Sequence, residues 1–357
     1  MKILEIIPTL KTGGAEKFVV ELSNEISNYQ KIDIEILQLM PKTAKDICSK
    51  KLNPRIKYIS INKHPGFSYR AIIQIYKYIK YNSITHVHAH TSAISYILPS
   101  AFILKKVKFF ATIHNDAELD ADNNFIVAFI RKILFKSKKC IPVTISEQSE
   151  LSFEKFYKMS AAMIYNGISE DYEITYPNRF PQKGLKFVHI ARTSIIKNQA
   201  MLYKAFNKLI NEGYDIYLYH YGRFDNDDIS TILRAFENSR IKIMGETDNS
   251  KNILHYADAL CLSSTMEGMP MTIIEAFSVG CPVISTPVGG CINMIQDGYN
   301  GILSEDCSFN EYYNALKRFI SLNATEKMEM RANALKSFNK YNIKNTAKLY
   351  LELFHNN

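Results

Sequence analysis

Cysteine is scarce in this sequence, and no two cysteines stand close together. Six are spread over 357 residues (Cys48, Cys140, Cys261, Cys281, Cys291 and Cys307), with no Cys-x-x-Cys spacing. That argues against a zinc cluster or a disulfide framework and favours reduced thiols in a cytosolic protein. Long apolar runs are missing as well. The longest, residues 93–104, contains Pro99 and falls well short of the ~18 residues that cross a bilayer. At the N-terminus, MKILEIIPTLKTGG meets Pro8 too early to read as a secretory signal. There is no solenoid-length repeat and no low-complexity tract. The expectation is a chain neither exported by that route nor membrane-spanning.

What is present describes a folded protein. Hydrophobic residues at 46% and charged residues at 22% are ordinary for a soluble globular chain. Its length exceeds what one hydrophobic core comfortably fills, so two domains are expected. The net charge of +9 is unevenly placed: residues 1–180 hold 25 Lys+Arg against 17 Asp+Glu, and residues 181–357 hold 19 against 18. Such a surplus suggests an anionic partner, whether nucleic acid, an anionic membrane or a phosphorylated substrate. No aromatic-basic recognition motif accompanies it, which disfavours nucleic acid.

Short apolar runs alternate with amphipathic helical patterns. Strands are expected at residues 2–7, 32–39, 85–89, 108–113 and 141–145, with helices at 15–26 and 69–81. Residues 170–184, polar and carrying Pro177 and Pro181, interrupt the pattern. It then restarts, with strands at 185–191, 216–221, 241–244, 259–263 and 283–286 and helices at 198–211, 228–238, 251–256 and 271–279. The fold class expected is α/β, two Rossmann-like doubly wound domains facing a cleft. Their bounds are 1–169 and 185–335, joined by a linker at 170–184, with a helix in 336–357 packing back on the first domain. Ligands in such folds bind beyond the carboxyl ends of the strands.

The most specific segment is residues 263–290, SSTMEGMPMTIIEAFSVGCPVISTPVGG. Glu267 and Glu275 are separated by seven residues, and a Gly268-Met269-Pro270 turn between them feeds a helix. The turn at Met269 and Pro270 presents the backbone N–H groups just after the proline, at Met271 and Thr272, as an anion site; an acidic first turn that stabilises the helix dipole is the plainer alternative. Upstream, Ala191-Arg192-Thr193-Ser194-Ile195-Ile196-Lys197 leaves a strand and opens a helix. Arg192 and Lys197 stand where two cations can converge on a pyrophosphate, or form a solvated strand-end pair. Thr12-Gly13-Gly14-Ala15-Glu16 is a glycine turn between the first strand and helix, common in α/β proteins and able to admit an anionic group. Histidines gather at strand ends: His86, His88, His90 and His114. The first three share a strand face without an evident carboxylate or cysteine partner, so strand alternation is preferred to a metal site.

Residues 258–301 carry Ser263-Ser264, Glu267-Gly268, Glu275-Ala276, Gly280, Pro282-Val283, Gly289-Gly290 and Asn300-Gly301, and resemble the E-x7-E signature of family 4 retaining glycosyltransferases of the GT-B fold. The resemblance implies transfer of a hexose, with retention, from a nucleotide-diphosphate sugar to a hydroxyl of a glycan or lipid-linked acceptor in bacterial surface-polysaccharide synthesis. It implies Arg192 and Lys197 on the diphosphate, Glu267 and His114 at the donor sugar, and Glu275 on the ribose. Gly13 and Gly14 would face the phosphates, and Gly245 and Glu246 the nucleobase. Three positions depart from the pattern: Ala191 replaces a glycine, Gly222-Arg223-Phe224 replaces Gly-x-Gly, and Thr85 replaces an aspartate. No metal and no further cofactor is implied, and the strings Asp120-Ala121-Asp122 and Asp225-Asn226-Asp227 are read as loops or caps. A catalytically silent scaffold of the same fold and a sugar-nucleotide epimerase are the alternatives.

Residues 124–140, NFIVAFIRKILFKSKKC, combine Phe125, Phe129 and Ile133 with Arg131, Lys132, Lys136, Lys138 and Lys139. Such a helix either lies on anionic lipid or packs into the core with a solvated charged face. With the basic first half, it suggests a cytoplasmic protein peripheral on the inner face of the plasma membrane.

Overall fold

The computed structural model describes residues 1–121, 123–172, 180, 183–224 and 228–356. The chain falls into two compact units, Met1–Ser169 with Tyr341–Asn357, and Glu170–Lys340. Most of the segment 170–184 lies outside the described residues.

The first unit is built on a parallel sheet of β1 Lys2–Ile7, β2 Asp33–Gln38, β3 Lys57–Ser60, β4 His86–His90, β5 Lys108–Ile113, β6 Ile141–Thr144 and β7 Ala162–Met163, in the order β3-β2-β1-β4-β5-β6-β7. Both faces of β1, β4 and β5 are covered; β1 and β5 are accordingly mostly apolar, whereas β4, equally buried, alternates histidines with Val87 and Ala89. The buried polar residues of these strands are Glu5, the three histidines of β4, and Thr112. Register places Glu5 beside His88, and His90 beside Thr112, so these polar side chains meet on one face. Helix Gly14–Ile26 buries Phe18, Val19, Leu22 and Ile26 against that face. Helix Ile343–Asn356 brings Tyr350 and Phe354 to it as well: Phe18 lies 5.9 Å from Tyr350, and Phe110 lies 4.6 Å from Phe354, between ring centres. The end of the chain thus completes the core of the first unit.

The second unit repeats the plan with β8 Leu185–Ile190, β9 Ile216–Tyr221, β10 Ile241–Gly245, β11 Ala259–Leu262, β12 Val283–Ser285 and β13 Gly301–Leu303, in the order β10-β9-β8-β11-β12-β13. Phe187, Phe206 and Phe319 meet edge to face in its core. The helix expected at 228–238 stops at Arg234. Asn238 explains the early stop, since its Oδ1 accepts from the N–H groups of Arg240 (2.7 Å) and Ile241 (3.0 Å) and turns the chain into β10. Strand order reverses between β1 and β4 and again between β8 and β11, and crevices for ligands open at the carboxyl ends of such strands. Among the described residues no helix is long and apolar enough to cross a membrane.

Candidate functional site

In the second unit the loops leaving β8 and β11 are stitched together. Ser263 Oγ donates to the carbonyls of Lys197 (2.8 Å) and Asn198 (3.1 Å), and the Thr265 N–H donates to Ile196 (2.8 Å). This stitching carries Lys197 to Glu267: Nζ lies 2.6 Å from Oε1, and Ser264 Oγ donates to the same oxygen at 2.6 Å. The pair is partly open, with 26% of the lysine side chain and 8% of the glutamate exposed. An ammonium held this way keeps donor capacity toward solvent while its position is fixed. Arg192 is exposed, its carbonyl taken by Gln199 Nε2 at 2.9 Å. Glu275 is buried on helix Met271–Ser278, whose first turn follows Pro270.

Two glycines are required by space here. Gly289 has φ +48°, and a Cβ there would run into the Glu267 carbonyl; one at Gly222, φ +149°, would strike the carbonyl of Ala191. Gly222 also donates its N–H to Gly245 O at 2.8 Å. Gly245 and Glu246 line a cavity of about 420 Å³ together with Arg223, Phe224, Arg234 and Met244. Neither Arg234 nor Met244 belongs to a sequence motif. The string at 225–227 lies outside the described residues.

In the first unit the histidines do have a carboxylate partner, which corrects the sequence reading. Glu5 Oε2 lies 2.6 Å from His90 Nε2 and 3.0 Å from His88 Nδ1, all three fully buried. His90 Nδ1 in turn meets His114 Nε2 at 3.0 Å, and His88 Nε2 meets Thr112 Oγ1 at 2.7 Å. Burial would raise the Glu5 carboxyl, but His88 and His90 pull it down to about 2. Burial and His88 lower His90 to about 4 despite Glu5, and burial with His90 and His88 holds His114 well below the usual range. The cluster is also the one group of potential metal ligands among the described residues. Ligands on a tetrahedral ion with bonds of about 2.1 Å stand about 3.4 Å apart; the Glu5 contacts at 2.6 and 3.0 Å are hydrogen bonds instead.

Two further expectations, on Asp120 and Arg131, need correction. Asp120 is neither loop nor cap: it ends helix Ala117–Asp120, accepts from the His114 N–H at 3.0 Å and pairs with Arg131 at 2.6 Å. Arg131 therefore belongs to the core, not to the basic face, with its second nitrogen donating to Thr91 O at 2.8 Å. Asp122 is outside the described residues. Beside Gly13 the space is filled by the Glu16 carboxylate, which a Cβ at Gly13 would strike, so the start of helix Gly14–Ile26 already holds an acidic group. Burial raises that carboxyl above its ordinary value, against the Glu16 backbone N–H, Thr9 and Lys11.

Helix Phe125–Lys136 is capped by Asn124, whose Oδ1 accepts from Ile126 and Val127. It turns Leu134 and Phe135 inward and leaves Phe125 (82% exposed), Ile126, Phe129 (54%) and Ile133 outside. Lys136, Lys138 and Lys139 join Lys105 and Lys108 around a cavity of about 680 Å³ floored by Phe109, Phe135 and Cys140.

Two Rossmann-like α/β units, each built on a parallel sheet, are the architecture of the GT-B class of fold. The chain belongs to the family 4 glycosyltransferases of that fold: residues 12–172 match the family described as Glycosyltransferase Family 4 and residues 173–337 match Glycosyl transferases group 1. It is 24% identical over 336 residues to the Escherichia coli UDP-Gal:alpha-D-GlcNAc-diphosphoundecaprenol alpha-1,3-galactosyltransferase, covering 84% of this chain and 86% of that protein. It is 24% identical over 304 residues to the Staphylococcus aureus capsular polysaccharide biosynthesis glycosyltransferase CapH, covering 81% and 82%. The crystal structure of Anabaena HepE in complex with UDP-glucose superposes with a TM-score of 0.82 at 17% identity, covering all of both chains.

Proposed function

We propose that the protein transfers a hexose, with retention, from a nucleotide-diphosphate sugar to a hydroxyl of a glycan or lipid-linked acceptor in bacterial surface-polysaccharide assembly. The observation that carries this reading is the Lys197–Glu267 pair at the β8–β11 reversal. In this reading Lys197 and Arg192 bind the diphosphate and neutralise the charge that grows as the glycosidic bond breaks. Glu267, held by Lys197 and Ser264, meets the sugar; Glu275 meets the ribose, and Gly245 and Glu246 the base. The anomeric carbon loses its bond to the phosphate oxygen and gains one to the acceptor oxygen on the same face. The acceptor proton passes to the departing phosphate, so no protein nucleophile is assigned and no metal is called on.

The exposed apolar stripe of helix Phe125–Lys136 and the lysines beside it support a peripheral position on anionic membrane, where a lipid-linked acceptor resides. The names of the E. coli relative and of HepE's ligand make UDP-sugars the first donors to try. A screen of UDP-, GDP- and ADP-sugars for hydrolysis and transfer tests the reading. One donor turned over with the anomeric configuration kept is expected; an inverted product rejects the stereochemistry, and no turnover of any donor favours a silent scaffold.

A further inference from the structure

We propose that Glu5 and His90 are positioning residues that fix His114 as its Nε2–H tautomer, so that its Nδ1 lone pair is offered to a hydroxyl of the donor sugar. The last clause rests on the reading of His114 at that sugar. The tautomer itself rests only on the buried chain Glu5–His90–His114.

An ionised carboxylate accepts and never donates, so the 2.6 Å contact to Glu5 requires the proton of His90 to sit on Nε2. A neutral His90 then has only a lone pair on Nδ1. The 3.0 Å contact from that atom to His114 Nε2 exists as a hydrogen bond only if His114 supplies the proton. A neutral His114 carries a single N–H and has spent it on His90. Its Nδ1 is left as an acceptor, and among the described residues the side chain's one hydrogen bond is that through Nε2. Elsewhere the residue is held equally firmly: Asp120 accepts its backbone N–H, Arg131 anchors Asp120, and Phe18 lies edge-on to the ring at 5.9 Å. Burial depresses the affinity of both rings for a second proton, which keeps them neutral.

The consequence is chemical selectivity. A sugar carrying a hydroxyl at the contacted position donates to Nδ1, whereas a deoxy sugar leaves that lone pair unpaired. The second polar branch, His88 to Thr112 to Tyr350, anchors the other side of Glu5 without touching His114.

Long-range proton–nitrogen correlation spectra of histidine-labelled full-length protein at neutral pH distinguish the two neutral tautomers and the cation, with His114 assigned through His114→Asn. The expected result is a neutral His114 protonated on Nε2. A ring protonated on Nδ1, or a cationic ring, overturns the proposal whatever the enzyme does, and the tautomer itself is read on the wild-type protein. In His90→Ala the acceptor is gone and His114 should show mixed tautomers; in His90→Asn the amide oxygen stands near the Nδ1 position and should restore Nε2–H. Kinetics with monodeoxy donors should show one analogue discriminated about tenfold in kcat/KM by the wild type and by His90→Asn, and not by His90→Ala. Equal discrimination in all three also overturns it. If no donor is turned over while the spectra are as expected, the transferase reading fails and the tautomer assignment stands.

Discussion

At the scale of single residues the structure separates side chains that bind from side chains that hold. Lys197 is partly exposed in a pair with Glu267, so Lys197→Ala removes a cation and little packing. Transfer should fall by about 10²–10³-fold, in line with the loss of one preorganised charge contact. The thermal midpoint should move by less than about 5 °C. Unchanged turnover would reject the assignment of Lys197. Gly289→Ala attacks the same site from behind: its φ is +48° and the new methyl meets the Glu267 carbonyl, so activity should drop with Glu267 displaced. Arg131→Met is the opposite kind of change. It strips the guanidinium from the buried Asp120 carboxylate and should cost about 3–5 kcal/mol, or roughly 6–20 °C in thermal midpoint for a unit of this size. Adding Asp120→Asn should return part of that loss, and a single variant as stable as wild type contradicts the buried pair. Lys197 and Glu267 were legible because their motifs are local. Arg131 was not, because it sits in a run of surface lysines and its partner is eleven positions away. Glu5 did leave a signal, a lone charge within an apolar buried strand, and such a charge demands a partner; the partner's identity depends on strand pairing across more than eighty residues.

At the scale of elements, strands and helices follow from apolar periodicity, and boundaries move where a polar side chain intervenes, as Asn238 does before β10. Helix Phe125–Lys136 shows what periodicity leaves undecided. Its sequence fits a core-facing and a surface-facing stripe equally, and the structure gives one to each: Arg131, Leu134 and Phe135 inside, Phe125, Ile126, Phe129 and Ile133 outside. With each basic residue near an anionic surface worth about 1 kcal/mol, replacing Lys132, Lys136, Lys138 and Lys139 by Gln should weaken binding to phosphatidylglycerol vesicles by about 10²–10³-fold at low salt. Phe125→Ser with Phe129→Ser should weaken it by a salt-independent amount. Co-sedimentation checks both. Binding that ignores the lysines and the phenylalanines alike removes this helix as the contact.

At the scale of the whole molecule, buried histidines tie both units to pH in the same direction. Burial lowers His86 to about 4 in the first unit, with the Phe354 carbonyl opposing, and lowers His220 to about 4 in the second, with the Ala191 carbonyl opposing. His90 sits at about 4, and burial holds His114 and His189 well below the ordinary value as well. In the unfolded chain these rings titrate near 6.5. Between that value and about 4 the unfolded chain therefore binds more protons than the native one, and stability must fall as the pH falls. Each such histidine contributes a slope approaching 1.4 kcal/mol per pH unit across this window. Glu5 adds to the loss lower down: its carboxyl is depressed to about 2, so the stability it contributes is present above the ordinary carboxylate range near 4.5 and disappears as the pH drops toward 2. Acid unfolding should thus begin well above the carboxylate range, with both units losing thermal midpoint between pH 6.5 and 5 while their carboxylates are still ionised. Calorimetric scans across that interval check the sign and the size, and a midpoint that holds constant down to pH 5 would mean that these histidines are not the buried neutral groups the two sheets make of them.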